Sequence, residues 1–402
     1  MSPSSKISER SFVVATPGRS VCDDNARALY HHGLLRFQAL GTRNGAKGVP
    51  AELTRLNPAI GLASYIAAKA LSPFAWESFR FRLHPWFDAW VRKQLLPGNH
   101  LISSYGYANA SFRWVRQHGG KTFLDGGNSH PDNFWAILNE EHRRWKCPYP
   151  PVAKHHYERS RAMMEEVDFV LSPSSFVTHS FLSRGFKPAQ ILRNIYPLDL
   201  TCFTPPQNPR PKDRPLTLVY TGSLSLRKGT PYLLAAFRLV HQRHPATRFL
   251  LTRNFQNDIL PILKRYDDLA IDWAPELPHE QLAQRLTSAD IFLLPSLEDG
   301  MARTVLEALA CGLPVIVTPN TGACDFVQPG INGEVVPIRD PQAIAEAIIK
   351  WGDQVMAKSG GGVRMIDPEL VSFSHFEQEF LGQLRDLGII AATPKPCQLR
   401  IK

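Results

Sequence analysis

The sequence predicts an α/β protein built from two doubly wound domains, and three observations carry that reading. Short apolar runs alternate with segments of helical periodicity in both halves of the 402-residue chain, the pattern of parallel strands covered by helices. A proline-rich, charged stretch, TPPQNPRPKDRP at 204–215, separates the halves and can continue neither a helix nor a central strand. Residues 290–318, DIFLLPSLEDGMARTVLEALACGLPVIVT, read as strand, turn, helix and strand, one complete βαβ unit.

The elements follow in order. SFVVATPG reads as a first strand, with Pro17 and Gly18 marking its turn, RSVCDDN as a polar loop, and a helix as starting near Ala26. HLISSYG at 100–106, KTFLDGG at 121–127 and DFVLSPS at 168–174 are further strands with helices between them. After the linker, strands at 216–221, 247–252, 290–295 and 313–318 alternate with helices such as PYLLAAFRLVHQ. Asp340 and Pro341 have the residue types of an N-cap and first turn, opening a helix with Ile344, Ile348 and Trp351 on one face. The glycine run SGGG at 359–362 precedes a last helix, where Phe376, Phe380, Leu384 and Leu387 recur at helical spacing. The expected units are 1–203, a linker at 204–215, 216–365, and a terminal helix with its tail at 366–402.

Apolar residues make up 44% and charged residues 20%, so the chain is globular. No apolar run is long enough to span a bilayer, and the N-terminus lacks a signal-peptide core, so a cytoplasmic protein is expected. The six cysteines, at 22, 147, 202, 311, 324 and 397, show no metal spacing and read as reduced structural thiols, with Cys311 against the sheet. A net charge of +10 favours anionic partners: nucleotide diphosphates, lipid phosphates or acidic membranes. No nucleic-acid-binding motif is present, which argues against nucleic acid as that partner.

Within 290–318, Asp299 and Glu307 stand eight positions apart across the turn and helix, with Val305, Leu306 and Leu309 facing inward. Free amides at such a strand-to-helix turn attract phosphate, and two carboxylates accept hydrogen bonds from sugar hydroxyls. The stretch resembles the nucleotide-sugar site of the family-4 retaining glycosyltransferases, whose hallmark is Glu, seven residues, Glu, in a run ending EA-A-CG-PVI. Glu307 and EALACGLPVI follow that pattern; Asp299 holds the first position with Glu298 one residue early, and Gly300, Met301 and Ala302 replace Gly-aromatic-Gly. LVYTGSLSLRKGTPYLLAAF resembles the family's strand, G-R-L, K-G and helix: Gly222 matches the glycine, Ser223 falls where the arginine is usual, Lys228 matches the lysine, and Gly229 opens the helix. In KTFLDGGNSHPDNFW, His130 resembles the histidine that many members place near the transferred sugar, and Asp125 is the alternative polar anchor.

The resemblance implies a GT-B fold, two Rossmann-like domains facing across a cleft, with the last helix crossing back to the N-terminal domain. It implies metal-independent, retaining transfer of a hexose-like sugar from a UDP- or GDP-sugar to a saccharide or lipid-linked hydroxyl, in polysaccharide or glycolipid biosynthesis. Lys228 would neutralise the leaving diphosphate, Glu307 hold the ribose, and Asp299 and His130 face the sugar. Arg227, Arg303, Thr304 and Gly18 complete the candidate set, although Arg227 and Arg303 also read as surface or helix-start charges, Asp299 as an N-cap, and Gly18 as a turn residue. A phosphorylase, a nucleotide-sugar epimerase and a catalytically silent GT-B binding protein are the alternatives. Residues 73–96, with Trp76, Phe79, Leu83, Trp86, Phe87 and Trp90 at helical spacing and Arg80, Arg82, Arg92 and Lys93 interleaved, fit either a helix on an anionic bilayer or a core helix kinked at Pro85.

Overall fold

The computed structural model describes residues 11–18, 20–41, 48–70, 73–148, 151–208, 214–357 and 362–391. The first ten residues, part of the linker at 209–213, most of the glycine run and Cys397 lie outside them, as do the side chains of Trp76 and Arg80.

In the first half, β1 (Phe12–Thr16), α1 (Cys22–His31), β2 (Leu35–Leu40) and β3 (Thr54–Leu56) lead into two helices, α2 (Pro58–Ala70) and α3 (Pro73–Arg92). There follow β4 (His100–Ser103), α4 (Asn109–Gln117), β5 (Thr122–Asp125), α5 (Pro131–Arg144), α6 (Pro151–Met163), β6 (Phe169–Ser172), α7 (Ser175–Leu182) and β7 (Ile191–Arg193). The strands form one parallel sheet in the order β3-β2-β1-β4-β5-β6-β7. The buried faces of α3 and α4 cover one side of it through Phe87, Val91 and Phe112, which pack with Val13, Phe37 and Leu101.

The second half contains β8 (Thr217–Tyr220), α8 (Thr230–Arg243), β9 (Arg248–Thr252), the short α9 (Leu260–Leu263), β10 (Ile271–Ala274), α10 (His279–Thr287) and β11 (Ile291–Leu294). It continues with α11 (Arg303–Ala310), β12 (Val315–Val317), β13 (Gly333–Val335) and α12 (Pro341–Ala357), and α13 (Phe373–Asp386) closes the described chain. Its parallel sheet runs β10-β9-β8-β11-β12-β13. Both sheets reverse their winding beside the first strand of each half, between β1 and β4 and between β8 and β11, which places a crevice at the carboxyl ends of those strands.

Several local readings hold. The Asp340 carboxylate accepts from the Ala343 amide at 2.9 Å at the start of α12, and Ile344, Ile348 and Trp351 are buried. α13 returns to the first sheet, where Phe376, Phe380, Leu381 and Leu384 pack with Phe12, Ala26 and Leu29. Burial of each such side chain contributes about 2 kcal/mol. Gln383 adds two bonds to the backbone of Arg193 at the sheet edge, at 2.7 and 2.8 Å. Cys311 is buried, and the five cysteines among the described residues are free thiols.

One boundary is corrected. α1 starts at Cys22, four residues before the expected Ala26, because Asp23 and Asp24 suit the positive N-terminal end of a helix. α3 runs through Pro85 and places Phe87 and Val91 in the core, yet Trp86 is 74% exposed. Among the described residues no helix is long and apolar enough to cross a membrane.

Candidate functional site

The loops that follow β8 and β11 meet at the second sheet's switch point, and α11 rises from the same place. Thr221 and Ser296 sit just beyond the two neighbouring strands; both are buried, and their hydroxyls lack a hydrogen-bond partner among the described residues. Val305, Leu306 and Leu309 hold α11 against the sheet and fix the position of Glu307, whose Oε2 is buried and equally unpartnered. At 6% exposure, burial pushes the Glu307 carboxyl up to about 7, against the opposing pull of Arg303. Native interiors satisfy nearly all buried polar atoms, so three orphans at one crevice mark a place for hydroxyl or amide groups of a ligand.

Beside them lies a four-charge cluster. Lys228 Nζ pairs with Asp299 Oδ2, and Arg227 Nη1 donates to the Glu298 backbone carbonyl at 2.9 Å and to its carboxylate at 3.3 Å. Burial alone would raise the Asp299 carboxyl, but Lys228 and Arg227 outweigh it and hold the group below the usual carboxylate range. Two cations and two anions leave the cluster neutral, so an arriving diphosphate would compete with Asp299 for Lys228. Gly229 makes this geometry possible: its φ is +68°, and a Cβ there would stand 2.0 Å from the Pro295 carbonyl oxygen.

The cluster also joins the two halves. Glu298, fully buried, accepts from the Ser129 amide at 2.8 Å in the loop after β5. Gly300 lies so close to that loop that a Cβ would be 2.3 Å from the Gly127 carbonyl oxygen, and its own carbonyl accepts from Ser174 Oγ at 2.8 Å. The carboxyl-end loops of both sheets therefore face each other.

The remaining sequence candidates divide. Gly222 has φ +128°, and the Ser223 carbonyl accepts from the Tyr220 hydroxyl at 2.6 Å, which shapes the loop before Lys228. Met301 and Ala302 are packed into the apolar core of the second half, and Thr304 lies half-buried in the first turn of α11. Asp299 does not cap α11, whose N-cap is Ala302. Arg303 reaches Asp24 on α1 at 3.1 Å and lies over the Tyr196 ring, so it ties the halves together. The Gly18 carbonyl accepts from the Thr16 hydroxyl at 3.0 Å in the loop after β1.

His130 lies in the loop that opens α5. Its ring is buried edge-on to Phe181, its Nδ1 accepts from the Asp132 amide at 3.2 Å as the cap of α5, and burial lowers it to about 4. The ring thus serves as a cap, and the same loop accepts from the Tyr105 hydroxyl at the Asn128 carbonyl and donates from the Ser129 amide to Glu298 and from the His130 amide to Ser180. Asp125 is likewise enclosed: Tyr196 donates to it at 2.8 Å and the Cys22 thiol at 3.1 Å, while burial raises it to about 6. Glu298, which the sequence marks only as standing one residue early, is the acid that bridges Arg227 and the loop after β5, and the doubled acid in LEDG was its signal.

A cavity of about 590 Å³ opens next to this cluster. Ser223, Ser225 and Arg227 form one wall with Gln256–Asp258, and α3, α5 and α6 form the other.

Residues 215–353 match the model of the family described as Glycosyl transferases group 1. A colanic acid biosynthesis glycosyltransferase of Salmonella typhimurium, WcaL, is 25% identical over 209 residues, covering 50% of this chain and 51% of the relative. A GDP-mannose-dependent alpha-(1-6)-phosphatidylinositol monomannoside mannosyltransferase of Mycolicibacterium smegmatis is 29% identical over 219 residues, covering 49% and 56%. The chain thus spans about half the length of these curated relatives. Across almost its whole length it superposes on sucrose-phosphate synthase of Thermosynechococcus elongatus, with a TM-score of 0.65, 18% identity, and coverage of 94% and 99%. HepE of Anabaena, solved with UDP and glucose, gives a TM-score of 0.59 at 12% identity, with coverage of 94% and 99%. The match to 215–353 and the two facing parallel sheets lead to one conclusion: this chain has the GT-B fold, and residues 215–353 of its second half match the group 1 glycosyltransferase family.

Proposed function

We propose that the protein transfers a hexose-like sugar, with retention and without a bound metal, from a UDP- or GDP-sugar to a hydroxyl acceptor in polysaccharide or glycolipid biosynthesis. The observation that carries this reading is the buried Glu307 carboxylate, held without a partner for Oε2 on the helix that rises from the switch point. A ribose has two adjacent hydroxyls to donate to such a carboxylate, and the diphosphate then falls toward Lys228. Released from Asp299, the ammonium offsets charge that grows on the departing diphosphate, and Asp299 is freed to accept from sugar hydroxyls. The contacts of Glu298 with Ser129 and of Gly300 with Gly127 hold the facing loops together, and closure of the cleft on the donor would exclude water, which otherwise hydrolyses it. Arg227, one turn of loop away, supplies the second positive charge in place of an arginine at Ser223. The named relatives support a nucleoside-diphosphate donor, one being GDP-mannose-dependent and another solved with UDP and glucose.

Peripheral membrane association belongs to the same reading. Leu62, Tyr65 and Ile66 on α2 and Trp86 on α3 are exposed, Arg82, Arg92 and Lys93 are exposed on or just beyond α3, and the net charge of +10 complements an anionic bilayer.

The test is release of nucleoside diphosphate from UDP-, GDP- and ADP-sugars with and without saccharide and glycolipid acceptors. Acceptor-dependent release with one nucleotide class and an α-configured product from an α-donor supports the reading. Turnover that requires inorganic phosphate would indicate a phosphorylase, epimer formation without release an epimerase, and binding without turnover a silent GT-B protein.

A further inference from the structure

The cavity beside the charge cluster has a composition of its own. Phe81 of α3, Phe134, Trp135 and Leu138 of α5, and Tyr157 of α6 make its first-half wall predominantly aromatic and aliphatic. Trp135 and Tyr157 stack with ring centroids 4.8 Å apart and planes 15° from parallel, a stiff platform that loses little entropy when a ligand docks. A buried hydroxyl, Ser160 Oγ, borders the cavity and lacks a hydrogen-bond partner among the described residues, and the buried Ser129 lines it beside Glu298. The opposite wall carries Ser223 and Arg227 from the loop that precedes Lys228.

This chemistry suits a diphosphate poorly. Apart from Arg227 its lining carries no lysine or arginine among the described residues, and Asp258 adds a carboxylate to the same wall. An apolar, ring-bearing molecule with a few hydroxyls suits it well, because the rings bury apolar area and a hydroxyl satisfies Ser160. We propose that this cavity is the acceptor subsite and that it selects an acceptor whose reacting hydroxyl is carried on an apolar, ring-bearing body, in preference to a free sugar or a sugar phosphate. The proposal rests on the transferase reading above. The hydroxyl end lies against Ser223 and Arg227, on the side where the diphosphate departs. There the acceptor oxygen forms its bond to the anomeric carbon as the bond from that carbon to the diphosphate oxygen breaks. The electron pair stays on the diphosphate, and the acceptor's proton passes to it.

The experiment is calorimetric binding of 4-nitrophenyl β-D-glucopyranoside, methyl β-D-glucopyranoside and glucose 1-phosphate to the full chain, with UDP and GDP titrated separately. Three proteins are compared: wild type, Trp135→Ala, and Ala153→Trp, which fills the cavity at a helix position that lines it. The wild type is expected to bind the nitrophenyl glycoside at least about ten-fold more tightly than the other two, as burial of one ring implies. Both variants should reduce that preference to about two-fold or less and leave nucleotide binding unchanged. Equal affinity for the three probes, tightest binding of glucose 1-phosphate, or a preference that survives in Ala153→Trp, each with nucleotide binding intact, overturns the acceptor proposal alone. Absence of UDP and GDP binding in the wild type overturns the transferase reading and this proposal with it.

Discussion

Replacement of Glu307 by glutamine should stabilise the unliganded protein at alkaline pH while destroying its affinity for a donor. The folded protein holds this carboxyl at about 7 against an ordinary 4.5, because burial penalises the anion. The unfolded chain gives up the proton first, so the folded state binds more protons between those values. Its stability therefore falls as pH rises from 4.5 to 7, and the loss is complete above 7. The displacement corresponds to about 3 kcal/mol at pH 8 and roughly 1 kcal/mol at pH 5. Glutamine carries no charge at either pH, so Glu307→Gln should melt several degrees higher than wild type at pH 8 and only slightly higher at pH 5. Differential scanning calorimetry at both pH values, without nucleotide, reads this directly. A gap that is the same at both, or a variant less stable at pH 8, would refute the claim that an uncompensated carboxylate waits at the switch point.

Lys228→Met leaves Asp299 charged and buried, so the urea midpoint should fall by the equivalent of about 3–5 kcal/mol; adding Asp299→Asn should restore stability but not donor affinity. Gly300→Ala pushes a methyl group into the Gly127 carbonyl, and small-angle scattering should report an opened cleft, with kcat reduced and the second-half core intact. His130→Asn, which keeps a capping acceptor, should leave kcat unchanged, whereas His130→Leu should cost about 1 kcal/mol in thermal unfolding; a large kcat loss in the asparagine variant would restore a catalytic role to His130. Trp86→Ser should weaken flotation with vesicles of anionic phospholipid, and equal flotation would remove α3 from the membrane contact.

The fold was legible because its signals are local. Runs such as FVVAT and IFLL are fully buried parallel strands, and the Asp340–Pro341 start and the Phe376–Phe380–Leu384 spacing each report one helix. β2, β3, β7, β10 and β13 were not singled out: three of them are three residues long, and β2 mixes Arg36 and Gln38 into its apolar run. At the candidate site, Asp299 and Glu307 could be picked out because one motif fixes their spacing along one βαβ frame, and Lys228 because a separate strand–loop–helix motif fixes its place. What no spacing reveals is a contact between halves. The bond from Ser129 to Glu298 spans 169 positions, and the His130 ring is set by Phe181, fifty-one positions away. The aromatic cavity has the same origin, since its walls come from α3, α5 and α6 on one side and the loops after β8 and β9 on the other.

The central claim is that Glu307 and Lys228 bind a nucleoside diphosphate at the switch point. Thermal stabilisation by UDP-, GDP- and ADP-sugars, measured on wild type and on Glu307→Gln at pH 8, tests it most directly. One nucleotide class should stabilise the wild type, by about 2.7 kcal/mol at a hundred times its Kd, and have no effect on the variant. Equal stabilisation of both proteins would place the nucleotide elsewhere, and no stabilisation of the wild type by any sugar nucleotide would contradict the account.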